Sequence, residues 1–155
     1  MGLAAPASCD VVVIGGGQAG LATGYFLRRS GLSFVILDAE PGPGGAWRHT
    51  WPSLRLFSPA QWSSRAGGPR PSIGDACPSR DEVGAYLAAD EGRYALPVHR
   101  STSVSQVCAE RDGLVVHTGG GAWTARTVVS ATGTWSAPDV PTYPGQAIFG
   151  GQQVH

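Results

Sequence analysis

Apolar positions along the chain alternate between short continuous runs and helical spacing. Residues 11–14 are four consecutive β-branched side chains, the pattern of a strand buried on both faces of a parallel sheet. Residues 18–29 then place Leu21, Tyr25 and either Ala22 or Phe26 at core spacing, which predicts an amphipathic helix. Gly31 is its expected C-terminal cap. Phe34, Val35, Ile36 and Leu37 predict a second parallel strand that ends at Asp38. Residues 39–78 lose this regularity and read as loops, with one short strand over 54–57. There Trp51 and Trp62 are expected to pack the Pro/Gly loops.

Regular structure resumes at Ser79, whose spacing to Glu82 is that of a capping box. The helix it opens continues through Val83, Tyr86 and Leu87 to Gly92. Val98 begins a third parallel strand. Segments 104–109, 114–118 and 123–125, joined by turns at 111–113 and 119–121, predict a three-stranded antiparallel meander. Residues 127–133 read as a further buried strand ending in small side chains. The fold class is therefore α/β: a Rossmann-like domain with a central parallel sheet and a three-stranded antiparallel β-meander.

The turn after the first strand carries the most chemistry. Gly15, Gly17 and Gly20 obey G-x-G-x-x-G, with Gly16, Gln18 and Ala19 between them. Gly15 allows the sharp turn, Gly17 the close approach of a pyrophosphate, and Gly20 the close packing of helix on sheet. The helix start offers unpaired N–H groups and a positive dipole end. Asp38, at the end of the second strand, is placed to accept hydrogen bonds from a ribose. This pattern predicts a bound dinucleotide without naming it.

Composition narrows the classes. The net charge is zero and 14% of residues are charged, so nothing favours nucleic acid or an anionic membrane as a partner. All eleven basic residues are Arg, which removes the P-loop lysine and any Schiff-base lysine. Cys9, Cys77 and Cys108 are far apart, and no C-x-x-C exists for zinc or a redox pair. His49, His99, His117 and His155 have no metal-ligand spacing. No serine-hydrolase elbow is present. Arg48 and Arg55 are expected at the surface. Without a signal peptide or a membrane span, the cytoplasm is the expected compartment.

Further motifs extend the glycine loop. They are Gly44-Gly45-Ala46-Trp47, the sequence Ala131-Thr132-Gly133 followed by Pro138 and Pro141, and a terminal F-x-G-x-x-x-H from Phe149 to His155. In this order the chain resembles the N-terminal half of the FAD domain of flavin-containing monooxygenase-like proteins. These belong to the two-dinucleotide-binding flavoprotein superfamily. The resemblance implies FAD, held by residues 15–20 and Asp38, with Gly45 and Trp47 beside the flavin. It also implies adenine against the backbone of Val104, and a strand end of small residues (Ala131, Thr132 and Gly133) against the cofactor. In the complete family NADPH reduces the flavin, and an oxygen atom goes to a small-molecule substrate, a soft nucleophile or a ketone.

The family's NADPH domain would follow the terminal His, and Gly119, Gly120 and Gly121 open no helix that could replace it. The resemblance thus implies one incomplete, C-terminally truncated FAD-binding domain over residues 1–155. Alone it is expected not to be catalytically complete, and no catalytic residue is named. Two alternatives stand beside this reading: a non-catalytic dinucleotide-binding module, and a fragment of an NAD-dependent dehydrogenase. A sheet built to be covered by later elements predicts exposed apolar surface, and with it self-association or a complementing chain.

Overall fold

The computed structural model describes residues 7–66, 68–70, 76–139 and 141–152. Strand β1 (Ala7–Ile14) leads into helix α1 (Gln18–Ser30), strand β2 (Phe34–Leu37), helix α2 (Arg80–Arg93) and strand β3 (Val98–His99). Strands β4 (Val104–Glu110), β5 (Gly113–Thr118) and β6 (Gly121–Ser130) follow. All six strands form one sheet in the order β3-β2-β1-β6-β5-β4. The β1–β2, β2–β3 and β1–β6 pairs are parallel, while β4–β5 and β5–β6 are antiparallel.

The meander and the last buried strand are not separate, as the sequence suggests. β6 is a single ten-residue strand. Its first half pairs with β5, and from Trp123 to Ser130 it also runs beside β1. Arg126 interrupts the apolar pattern at 123–129, which is why two strands are read there. Its guanidinium lies 3.9 Å from the Asp10 carboxylate on the neighbouring strand. The strand is also less enclosed than predicted, since Val128 and Val129 are half-buried and Ser130 is exposed.

Two cores result. On one face, Val11, Val13 and Ile36 pack against Leu21 of α1 and Val83 and Leu87 of α2. On the other, Val12, Val35 and Leu37 meet Val116 and Ala125, so the antiparallel half twists back over that face. Helix α1 keeps Leu21 in the core, as expected, but departs from its other predicted core positions. Gly20, Leu21 and Gly24 are buried, whereas Tyr25 is half-buried and Phe26 is 61% exposed. A Cβ on Gly24 would lie 2.8 Å from Ile36 Cδ1. The helix therefore rests on the sheet along a glycine seam, too close for large side chains one turn on.

The loops also differ from expectation. The proposed strand at 54–57 is a lone antiparallel bridge between Arg55 and Ser79. Trp51 and Trp62 do not pack the loops but stand 59% and 77% exposed, and Phe57 is 98% exposed. Arg48 and Arg55 are exposed, as expected. No helix among the described residues is long and apolar enough to cross a membrane.

The capping box of α2 forms as read: Glu82 N–H donates to Ser79 Oγ, and Ser79 N–H donates to Glu82 Oε2 at 2.7 Å. The Ser79 hydroxyl, then its backbone N–H, hold the Glu82 carboxyl below the usual carboxylate range. Ser79→Ala is expected to cost about 1 kcal/mol in denaturant unfolding. Because the folded value is depressed, the Glu82 contribution is complete above the ordinary glutamate range. It is lost as pH falls through the lowered value. The gap between wild type and Ser79→Ala should therefore narrow in acid, which unfolding curves at several pH values will show.

Candidate functional site

The site is built where β1 ends. Gly15 takes φ +106° and donates its N–H to Leu37 O at 2.8 Å. A Cβ at Gly15 would lie 2.4 Å from Ala131 O, so the turn fits between two backbones only as glycine. Gly17 caps α1 without a side-chain acceptor, and no acidic residue occupies the first turn. The helix start thus keeps its free N–H groups and its positive end. Gly20 faces inward: a Cβ there would sit 1.8 Å from Gly15 O.

The second glycine run comes to the same point. Gly44 and Gly45 have φ of +118° and +54° and lead into a short 3-10 helix, Gly45–Arg48. A Cβ on Gly45 would lie 2.7 Å from Gly17 Cα. The two glycine loops therefore touch backbone to backbone, on one side of an open cleft of about 720 Å³. That volume lies in the range of small-molecule sites, roughly 300–1,000 Å³.

Twelve of the thirteen predicted residues line this cleft: Gly15, Gly16, Gly17, Gln18, Ala19, Asp38, Gly45, Trp47, Val104, Ala131, Thr132 and Gly133. Gly20 does not, because it packs helix against strand. His155 and the end of its motif fall outside the described residues. Glu40, His49, Thr102, Ser103, Trp135 and Ser136 also line the cleft and were not anticipated. Each lies within three residues of a predicted one, which is the signal that could have found them. His49 Nε2 is 2.7 Å from Glu40 Oε1, Arg48 Nε is 3.3 Å from Glu40 Oε2, and the His49 ring stacks on Trp135.

Arg100 is the other omission. It lies beside β2 and pairs with Asp38 and with Glu91 of α2. No local motif marks it. Only the parallel register, Leu37 opposite His99, puts it next to Asp38.

Residues 12–153 match the family model described as pyridine nucleotide-disulphide oxidoreductase. The chain belongs to this family. A flavin-containing monooxygenase from Stenotrophomonas maltophilia is 57% identical, with a TM-score of 0.85 over 94% of this chain and 44% of that one. An uncharacterized CzcO-like oxidoreductase from Geobacillus kaustophilus is 36% identical over 94% of this chain and 42% of the relative. A Baeyer-Villiger monooxygenase from Streptomyces coelicolor is 32% identical over 94% of this chain and 29% of its own length. The chain thus spans less than half of these relatives. It is the FAD-binding portion of a flavoprotein oxidoreductase, in a family whose complete members also use NADPH. Despite the family's name, Trp47, Arg48, His49, Thr50 and Trp51 follow the second glycine run, with no cysteine among them.

The glycine contacts generate a direct test. Gly20→Ala should destabilise the protein by about 3 kcal/mol or more, since a backbone carbonyl stands where the methyl must go. Gly84, within α2, has nothing within 4 Å of its Cβ direction. Gly84→Ala should be neutral or stabilising by up to about 1 kcal/mol. Urea unfolding of both variants checks the contrast.

Proposed function

We propose that the cleft at the end of β1 holds the ADP part of FAD, and that the complete protein is an NADPH-dependent flavin monooxygenase acting on a small molecule. The observation that carries the reading is the contact of the two glycine loops, Gly17 against Gly45, in the cleft that Asp38 also lines. The cradle suits the group because a Cβ on either Gly15 or Gly45 would collide with backbone around it. In this reading the first-turn N–H groups of α1 bind the pyrophosphate, and the Asp38 carboxylate accepts from the ribose hydroxyls. The Val104 backbone meets adenine. Trp47 and the small strand end Ala131, Thr132 and Gly133 wall the flavin side.

Bound FAD would accept reducing equivalents from NADPH and activate oxygen, and the protein's part is to bind, orient and exclude water. Trp47 suits that part, being half-buried against the helix-side core while lining the cleft. The 57% identity to a flavin-containing monooxygenase supports oxygen transfer over a plain reductase activity. The exposed Phe57, Trp62, Ile148 and Phe149 support a further element of the proposal, self-association or a complementing chain that covers them. A cytoplasmic setting is supported by the three free cysteines.

Titration calorimetry tests the site. FAD and ADP should both bind the wild-type chain, and Asp38→Ala should weaken both by about 10- to 100-fold, the worth of hydrogen bonds to a charged group. Failure of the wild-type chain to bind either nucleotide would sink the reading.

A further inference from the structure

Asp38 is nearly buried, and its backbone is held on both sides by the loop after β3. Its N–H donates to His99 O at 2.9 Å, and its carbonyl accepts from Thr102 N–H at 2.8 Å. Between those anchors the loop turns through Ser101, which takes φ +52° and donates its N–H to Glu40 O at 3.1 Å. The turn carries the Arg100 side chain to the Asp38 carboxylate. There Nη1 pairs with Asp38 Oδ2, and Nη2 pairs with Glu91 Oε2 on α2. Arg100 does not line the cleft; it stands behind Asp38, with its side chain 17% exposed.

One carboxylate oxygen of Asp38 is therefore taken, while Oδ1 accepts no hydrogen bond among the described residues. An Asp side chain alone could rotate about two bonds. Arg100, anchored in turn by Glu91, removes that freedom. Gly16 adds an independent observation. A Cβ there would lie 2.7 Å from Asp38 Oδ2 and 3.0 Å from Arg100 Nη1. The middle glycine of Gly15, Gly16 and Gly17 has no positive φ to explain it. It leaves the space that the ion pair fills.

We propose that Arg100 is a positioning residue for nucleotide recognition: it clamps Asp38 through Oδ2, with Glu91 as its anchor, and so presents Oδ1 to the ribose hydroxyls. This rests on the reading of the cleft as the ADP site. The ligand class concerned is an adenine nucleotide with a free 2′,3′-diol. Asp38 makes the contact; Arg100 acts through it and touches no ligand. The geometry also links ribose recognition to α2, an element that contributes nothing else to that end of the cleft.

The test uses ADP and 2′,3′-dideoxy-ADP in calorimetric titrations. Wild type should prefer ADP by about tenfold, the worth of charge-assisted hydrogen bonds to the diol. In Arg100→Gln that preference should fall towards unity, while dideoxy-ADP affinity stays within about twofold of wild type. Arg100→Lys should restore part of the preference. Glu91→Gln, which loosens the anchor without touching Asp38, should shift it in the same direction by less. Gly16→Ala should erase it by displacing the pair. Retention of the full preference in Arg100→Gln overturns the proposal. So does an equal loss of affinity for both nucleotides in Arg100→Gln and Glu91→Gln, which would mark a purely structural role. Wild type binding neither nucleotide would instead bring down the reading of the cleft itself.

Discussion

Backbone meets backbone without intervening side chains at the end of β1, and the rest of the molecule is arranged around that approach. Gly20 lies against the Gly15 carbonyl, Gly15 against the Ala131 carbonyl, and Gly45 against the Gly17 Cα. A methyl at Gly15, Gly20 or Gly45 would fall well inside van der Waals contact. The cost of glycine here is the backbone entropy lost on folding, about 1 kcal/mol per position relative to alanine. The two packed cores on either face of the sheet offset it. In return, helix start, strand end and second glycine loop come together closely enough for one cleft to be lined by all of them.

That arrangement separates what local sequence reveals from what it hides. Gly15, Gly17 and Gly20 have roles set by short-range geometry, and Ser79 with Glu82 forms the capping box its spacing implies. The strands and helices before and after the irregular loops were legible for the same reason. Continuous β-branched runs and a cap are properties of a few neighbouring residues. The loops at 39–78 carried no comparable pattern. Hydrophobicity suggested a packed role for Trp51 and Trp62, but these residues point outwards. A run of apolar residues near prolines does not say which side of the chain finds a core.

The features that local sequence hides elsewhere have a common physical origin in long-range pairing. Arg126 breaks the apolar pattern and suggests two strands, yet the single strand β6 serves both β1 and β5. The seam of α1 runs through Gly20 and Gly24, so Tyr25 and Phe26 at helical spacing are pushed to the side while Leu21 stays in the core. Arg100 was invisible because its partner Asp38 lies 62 residues away. Only a sheet register brings them together. Of the candidate site, then, the glycine loops and the acidic strand end could be read from sequence. The residues that orient them could not.

Membership of the pyridine nucleotide-disulphide oxidoreductase family and the glycine geometry are both compatible with the proposed nucleotide in this cleft. The most direct measurement is a competition titration, following flavin fluorescence as FAD binds in the presence of ADP or FMN. If the cleft at the start of α1 is the ADP site, ADP displaces FAD and an equal concentration of FMN does not. Displacement by FMN with no effect of ADP would contradict it.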